Sequence, residues 1–388
     1  MRFKASIQNI STFTKFTASL NSLGPLAWVK LSKDQVCFTI IPEQGTQVWA
    51  VLSIDTIFDS YTIQSAAQNV INLEVPLTSL HRALKSALQA SSASIRLTKK
   101  DNVPLLALTI VTTSTSISNS GTTSSSTTTT ATTTAPHGGA LSTSGADNNH
   151  NHDDGFGFDG GTSSSSFECA FGRERETVVT QEVPVRVLSP ETVAGLHEPR
   201  CREPDVHILL PPLLQLKGIS DRFTKLALVG AKSGTGAGGL GGTAVAAAAA
   251  ASSSSSMPRT RLEMAANMHG CLRLSIRTDA MSISSVWTGL SNPELDPAQV
   301  TGGEEGIRDH PSTKMKELGS ADGRSEEGWA TVRIDGRDWG KVMSVGRLGG
   351  RVIACFCHEH ALILYVYLPN DNGLDESVLT YYVSSYSA

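Results

Sequence analysis

Apolar and polar positions along the chain follow two periods, and these predict which segments are helices and which are strands. Between Pro76 and Ala90, Leu77, Leu80, Leu84 and Leu88 recur at spacings of three and four residues. Such spacings place side chains on one face of a helix. By contrast, AWVKLSKDQVCFTII alternates apolar and polar residues around SKDQ. That alternation is typical of two half-buried strands joined as a hairpin.

The whole pattern occurs twice. A shift of 259 residues places INLEVPLTSLHRALKSALQASSASIRLTKKDNVPLLALTIV on ATVRIDGRDWGKVMSVGRLGGRVIACFCHEHALILYVYLP without a gap. The front parts also correspond, since RFKASI and DVHILL are predicted strands, each followed by a predicted helix, at 9–22 and 212–228. The positions expected to point inward are Ile10, Phe13, Thr17 and Leu20 in the first helix, Leu216, Ile219, Phe223 and Leu226 in the second, and Trp339, Val342 and Met343 in the helix at 335–347.

This repeat predicts an α+β fold of two pseudo-equivalent domains, each with two helices packed on one face of a β-sheet. We expect an N-terminal domain at 1–188, a connector at 189–204 and a C-terminal domain at 205–388. Three segments of low complexity, at about 112–172, 231–258 and 298–328, interrupt the pattern. Because their apolar content is too small to offset the entropy of ordering, we expect all three to be disordered.

Composition narrows the class of protein. The chain has 388 residues, a formal charge of −4 and only 18% charged residues. It has no run of 18 apolar residues, and MRFKASIQNI lacks the apolar core of a signal peptide. Its six cysteines show no disulfide framework, so we expect a reduced, intracellular protein.

The four predicted helices differ in charge from the rest of the chain. Together they carry nine Lys or Arg against three Asp, although the whole chain is net negative. If the sheets lie outside and the four helices line a common inner wall, that basic wall would suit the phosphate backbone of a nucleic acid, bound without sequence preference. The competing interpretation is that exposed helix faces are charged in any protein, and composition alone leaves both interpretations open.

In its order of motifs, the sequence resembles the Hus-type subunit of the DNA-damage checkpoint clamp. The resemblance rests on MRFKASI, VKLSKDQVCF, VWAVL and the first repeat, and in the second half on VPVRVL, EPDVHILLPPLLQLKGISDRF, GCLRLSIRTDAMSISSVWTGLSNPEL and VLTYYVSSYSA. This clamp, the nine-one-one complex, is a heterotrimeric relative of the proliferating-cell sliding clamp. The resemblance covers nearly all residues outside the three interruptions, but no single motif is diagnostic.

The resemblance implies a sliding-clamp fold and a nuclear, non-enzymatic role without a cofactor. Three different subunits, the other two of Rad-nine and Rad-one type, would form a ring around double-stranded DNA after a checkpoint clamp loader places it at damage. The ring would support checkpoint signalling and DNA repair. It also implies DNA-facing residues by their helix positions: Lys15, Arg82, Lys85, Lys217, Lys225, Arg337 and Lys341, with Arg222 and Arg347 weaker. In sliding clamps the connector borders a partner pocket, which Val193 and Leu196 would frame here.

Other motifs are weaker candidates. CFCHEH at 355–360 suggests a metal site, but a strand places only its two cysteines on one face and further ligands would be needed. NNHNHDD lies in a low-complexity tract, and GTGAGGLGG lacks the Lys-Ser/Thr and the helix of a phosphate loop. We therefore predict no metal site and no catalytic site. Two alternatives to the heterotrimer remain, namely a homotrimeric replication processivity clamp and an enzyme that uses the Cys/His strand.

Overall fold

The computed structural model describes residues 1–42, 45–115, 174–233, 261–278, 281–298, 300–320, 322, 325–368 and 377–386. Residues Met1–Thr112 and Thr177–Ala388 form one compact unit, and Thr113–Glu176 form a second. All of the features below, except the two strand ends that enter the second unit, belong to the first. None of the helices in the described ranges is both long enough and apolar enough to cross a membrane.

Eighteen strands lie in the described ranges. They are β1 Arg2–Ile7, β2 Leu26–Leu31, β3 Gln35–Ile40, β4 Gln47–Ser53, β5 Phe58–Gln64, β6 Ile71–Pro76, β7 Ser92–Lys100, β8 Val103–Thr115, β9 Glu174–Pro184, β10 Arg186–Leu188, β11 Val206–Leu209, β12 Arg261–Asn267, β13 Leu272–Arg277, β14 Ser282–Trp287, β15 Trp329–Asp335, β16 Arg351–Cys357, β17 Ala361–Tyr367 and β18 Val378–Ser384.

The helices of the described ranges are of two kinds, four long enough to cover a sheet and several short ones. They are α1 Ile10–Asn21, α2 Ile54–Ile57, α3 Leu77–Ser86, α4 Pro190–Val193, α5 Leu213–Ser233, α6 Gly303–Asp309, α7 Pro311–Leu318 and α8 Gly336–Val342, which continues as the 3-10 helix Met343–Leu348.

The element order confirms the repeat of 259 residues. Strand β6 maps onto β15, α3 onto α8 and its 3-10 extension, β7 onto β16, and β8 onto β17. The predicted hairpins are also present, β2–β3 in the first half and β12–β13–β14 in the second.

The strands form three sheets. Their orders are β5-β1-β7-β8-β9, β14-β13-β12-β15 and β10-β6-β2-β3-β4-β18-β17-β16-β11. The third sheet takes strands from both halves of the chain, and antiparallel pairing of β4 with β18, from Val51↔Val378 to Gln47↔Tyr382, joins them. Side chains on one face of this sheet, such as Val48, Ala50 and Tyr381, are completely buried in the core.

The four longer helices pack side by side in one layer, in the order α3, α1, α8 with its 3-10 extension, and α5. Small polar residues hold the halves together where α1 meets the 3-10 helix. The hydroxyl of Ser19 donates to the carbonyl of Ser344 at 3.2 Å, and the hydroxyls of Ser22 and Ser344 lie 2.9 Å apart. Gly346 allows the 3-10 helix to approach α5, because an added Cβ would lie 2.8 Å from the Cβ of Leu213.

Two inward positions were predicted wrongly. Leu88 is 43% exposed because α3 ends at Ser86 and the helical period does not extend past it. Leu226 is 44% exposed, and Ala227 is buried instead. In α5 the buried series runs through Leu216, Ser220, Phe223 and Ala227, so the spacing of three and four places the smaller residue inward.

The expected disorder of the third segment, at about 298–328, is wrong for most of its length. Helices α6 and α7 lie there, and α7 packs against β11. His310 and Ser312 are buried, and the indole of Trp329 donates to the carbonyl of Ser325 at 2.8 Å. A few buried anchors therefore order a segment whose average composition is polar. The other two expected insertions lie almost wholly outside the described residues.

Gly346→Ala should destabilise the fold by about 1–3 kcal/mol, because its methyl group would overlap Leu213. Gly218→Ala is the matched control. A Cβ at Gly218, within α5, meets nothing within 4 Å, so this change should be neutral or stabilise by up to about 1 kcal/mol. Urea unfolding of the two variants measures both effects. Equal stabilities would contradict close packing of the 3-10 helix on α5.

Candidate DNA-facing helix surface and connector pocket

The layer of helices presents most of the predicted DNA-facing residues to solvent. Lys15 of α1, Arg82 and Lys85 of α3, Lys225 of α5, and Arg337 and Lys341 of α8 are exposed. Lys217 of α5 is half-buried, and Arg222 and Arg347, the weaker candidates, are exposed. Because the four helices are contiguous, the structure brings these residues onto one layer, here called the helix surface.

The cations of the helix surface differ in how they are neutralised. Nζ of Lys217 lies 2.8 Å from a carboxylate oxygen of Asp221, and Nζ of Lys341 lies 3.2 Å from one of Asp338. Among the described residues, Lys15, Arg82, Lys85, Lys225 and Arg337 form no ion pair. Helices α1 and α3 contain no acidic residue. The positive charge is therefore least compensated on the helices of the first half.

The connector crosses the sheet from β10 to β11 and is held by few contacts. Its first turn is α4, where the hydroxyl of Ser189 accepts from the amide of Thr192 at 3.3 Å. Further along, the hydroxyl of Tyr382 donates to Glu198 at 2.8 Å, and the thiol of Cys357 lies 3.6 Å from the carbonyl of Arg202. Val193 and Leu196 are half-buried although most of their neighbours are exposed.

A cavity of about 610 Å³ lies between the connector and the sheet, here called the connector pocket. Both predicted connector residues, Val193 and Leu196, line it. The rest of the lining comes from β2, β3, β4, β6, the turn before β6, the end of β10 and the start of α4: Trp28, Val29, Lys30, Gln35, Cys37, Thr39, Trp49, Ala67, Gln68, Val70, Asn72, Leu73, Leu188 and Pro190. A concave, mostly apolar site of this size suits one or two side chains of a ligand.

The polar groups of the connector pocket include the indole of Trp49 and the thiol of Cys37. The indole N–H of Trp49 is buried and has no hydrogen-bond partner among the described residues. Burial raises the pKa of the Cys37 thiol, which outweighs the opposing effect of its hydrogen bond with Thr39. The thiol in the pocket wall is therefore neutral, and the indole N–H is enclosed by protein. Sequence alternation could have placed Trp28 and Trp49 on the pocket face. On β2 and β4 they alternate with residues that are buried on the opposite face of the sheet.

The CFCHEH motif forms the end of β16 and the turn after it. Cys355 and Cys357 are buried on the face that the connector covers, with Cys201 packed against them. Burial is the largest cause that raises the pKa of Cys355 to about 12 and of Cys357 to about 11. Within the described residues, no three or more His, Cys, Asp or Glu are arranged to hold a metal ion.

Strand edges are covered in some places and open in others. At β15, the amide of Thr331 donates to Nδ1 of His358 at 3.0 Å, and the amide of Arg333 donates to the hydroxyl of Ser385 at 3.0 Å. Strands β9 and β14 end their sheets, and no described strand pairs with their outer edges. Both carry exposed valines, with Val178 at 60% exposed on β9 and Val286 at 53% on β14.

Two repeated α+β halves, a shared sheet and one layer of helices define the sliding-clamp class of protein. Among solved structures, the chain is similar to the proliferating cellular nuclear antigen of Entamoeba histolytica, with a TM-score of 0.53, 10% identity and 99% of each chain covered. It is equally similar in fold to that of Thermococcus kodakaraensis, with a TM-score of 0.53, 11% identity, and 99% and 100% coverage.

The particular family follows from sequence. The Hus1-like protein family matches residues 1–387, and the chain belongs to that family. The chain is 34% identical to checkpoint protein hus1 of Schizosaccharomyces pombe, covering 100% of this chain and 99% of the relative. It is also 22% identical to checkpoint protein HUS1 of Homo sapiens, covering 76% of each.

Proposed function

We propose that this chain is a non-catalytic subunit of a heterotrimeric ring clamp that encircles DNA at damage sites in the nucleus and supports checkpoint signalling and repair. The observation that carries the proposal is the helix surface, a continuous cationic layer on a clamp-fold chain of net charge −4. The family relationship gives the checkpoint role, because both relatives described above are named checkpoint proteins.

The helix surface supports contact with the phosphate backbone. Its uncompensated cations, Lys15, Arg82, Lys85, Lys225 and Arg337, lie on several helices rather than on one recognition helix. Cations spread in this way neutralise phosphates without reading base edges. We infer that the helix surface lines the hole of the ring and that Lys217 and Lys341 contribute less, because Asp221 and Asp338 already neutralise them.

The open edges of β9 and β14 support a ring of several chains. An exposed strand edge with apolar side chains is an aggregation risk unless another strand covers it. We propose that β9 and β14 each pair with an edge strand of a neighbouring subunit, in a ring with one subunit of Rad-nine type and one of Rad-one type that a checkpoint clamp loader places on DNA. A homotrimeric processivity clamp would use the same edges, but membership of the Hus1-like family does not favour it.

The connector pocket supports peptide binding. Its apolar lining suits an aliphatic or aromatic anchor. We propose that partner proteins dock here through a short segment, with Val193 and Leu196 in contact with the anchor.

Affinity purification from nuclear extract should recover the chain in a one-to-one-to-one complex with two different clamp-like subunits, as judged by mass after size exclusion.

Val286→Asp should abolish the complex without unfolding the chain, because it places a charge on the open edge of β14. Ile41→Asp, at an equally exposed apolar residue in a loop, is the control and should leave the complex intact. A self-trimer would favour the processivity clamp, and a lone monomer would refute the ring.

The double variant Arg82→Ala, Lys85→Ala should weaken binding of the chain to a short labelled duplex. Because each lost phosphate contact changes the slope of log affinity against log salt by about 0.9, the slope should become shallower by up to about 1.8. Fluorescence anisotropy between about 50 and 200 mM KCl measures it. The matched control, Lys99→Ala with Lys100→Ala, removes the same formal charge from the exposed end of β7 and should have no such effect.

A change of opposite sign tests the same surface. Asp221→Asn removes the carboxylate that neutralises Lys217, so affinity should rise and the slope should steepen by up to about 0.9. The control is Glu182→Gln, which removes a carboxylate that lies 2.9 Å from Nζ of Lys100. This ion pair is not on the helices, so the change should alter neither the affinity nor the slope. Equal effects of the helix variants and their controls would mean that DNA does not lie on the helix surface.

Peptides selected by display on the wild-type chain should carry an aliphatic or aromatic anchor and bind at least tenfold more weakly to Val193→Asp with Leu196→Asp. Such a loss follows from a charge introduced against the apolar wall of the pocket. Ala194→Asp, at the exposed residue between them that does not line the pocket, should bind as wild type does. Isothermal titration of one selected peptide against the wild-type chain, the double variant and the control measures the three affinities. Equal affinities would refute the pocket as the docking site.

A further inference from the structure

Two buried histidines meet where the α6–α7 segment, Gly303–Leu318, packs on β11. His207 of β11 and His310, between α6 and α7, are each only 5% exposed. Their rings are in edge-to-face contact, with centroids 6.5 Å apart. The loop after β14 also bonds β11, since the amide of Leu209 donates to the carbonyl of Ser291 at 2.8 Å.

The contacts of His207 require a neutral ring. Nε2 lies 2.7 Å from the carbonyl oxygen of Pro293, so Nε2 carries the proton and donates. The other nitrogen, Nδ1, is buried and has no hydrogen-bond partner among the described residues. A second proton on Nδ1 would place a charge in this buried position with no acceptor to receive it.

His310 forms its hydrogen bonds within its own segment. Its Nδ1 accepts from the backbone amide of Ser312 at 3.2 Å and lies 2.8 Å from the hydroxyl of the same residue. His310 is thereby the N-cap of α7. The ring of His310 therefore both caps α7 and contacts His207.

We propose that His207 and His310 form a pH-sensitive latch that holds the α6–α7 segment on β11 at neutral pH and releases it on acidification. Release uncouples the segment from β11 while the sheets stay folded. The latch operates within this chain and does not depend on the proposed ring or on DNA.

The direction of the pH effect follows from His207. Burial lowers the pKa of His207 below 6.5, an effect larger than the opposing one of its bond to the Pro293 carbonyl, and His310 lowers it further. In the released state the ring regains its ordinary pKa, so docking is fully stable above about pH 6.5 and weakens as the pH falls below that value.

Other ionisable groups near the latch do not reverse this direction. The residue paired with His207 on β16 is Cys355, whose raised pKa of about 12 keeps its thiol neutral. Beside His310, Asp309 and Lys314 form an exposed ion pair with each other at 3.5 Å. Among the described residues, His310 is the charged or titratable group that acts on His207.

Hydrogen exchange of the full chain tests the latch. Between about pH 7.5 and 5.5, protection factors of α7 amides, referred to the intrinsic rate at each pH, should fall severalfold relative to β16 and β17. For one histidine whose pKa returns to about 6.5 on release, linkage limits the fall over this range to about tenfold. His310→Asn keeps an N-cap acceptor but removes the neighbouring ring that lowers the pKa of His207, so α7 should stay protected at pH 7.5 and its fall with pH should shrink.

His360→Asn is the control, since His360 is an exposed histidine in the β16–β17 turn, and it should reproduce the wild-type fall. The proposal is wrong if wild-type α7 keeps its relative protection at pH 5.5, or if all elements lose protection together. It is equally wrong if His310→Asn shows the full wild-type fall, or if that variant is already unprotected in α7 at pH 7.5.

Discussion

The pairing of β4 with β18 is the constraint on which the rest of the structure depends. It joins strands of the first half to strands of the second in one nine-stranded sheet. Because the two halves share a sheet, their helices come to lie beside each other, and serine hydroxyls can bridge α1 to the 3-10 helix. Without this pairing the helix surface would be two separate basic patches, and the connector would not have to span a continuous sheet.

The two faces of the shared sheet serve different purposes because side chains alternate along a strand. On β4, Val48 and Ala50 are buried in the core beneath the helices, whereas Trp49 reaches the connector pocket. On β16, Phe356 is completely buried in the main core, and its neighbours Cys355 and Cys357 lie under the connector. A single period-two pattern therefore positions both a cationic helix layer and an apolar pocket.

Much of the fold was predictable from sequence because the chain repeats its own pattern. The repeat of 259 residues predicts the order of strands and helices in both halves, and the structure confirms that order. Prediction failed where tertiary contacts overrule local pattern. Helix α3 ends before Leu88, and α7 is ordered by the buried His310 rather than by apolar content.

The candidate sites were predictable in part, and the reason lies in what spacing can show. Helix position places Arg82 and Lys85 on the outer side of α3, where the structure has them. Spacing also indicates that Lys217 can pair with Asp221, four residues on, but whether it does depends on rotamers that tertiary packing selects. The lining of the connector pocket and the contact between His207 and His310 join residues far apart in sequence, so neither has a local signal.

The balance of charge on the helix surface is consistent with a clamp that must hold DNA without fixing its position. Under the proposed function, uncompensated cations on four helices would attract phosphates without reading bases. Asp221 and Asp338 reduce that attraction on α5 and α8. Because partly exposed ion pairs of this kind are worth only about 0–1 kcal/mol, a phosphate of bound DNA would exchange with either carboxylate. Such exchange keeps individual contacts weak and replaceable, as movement along a duplex requires.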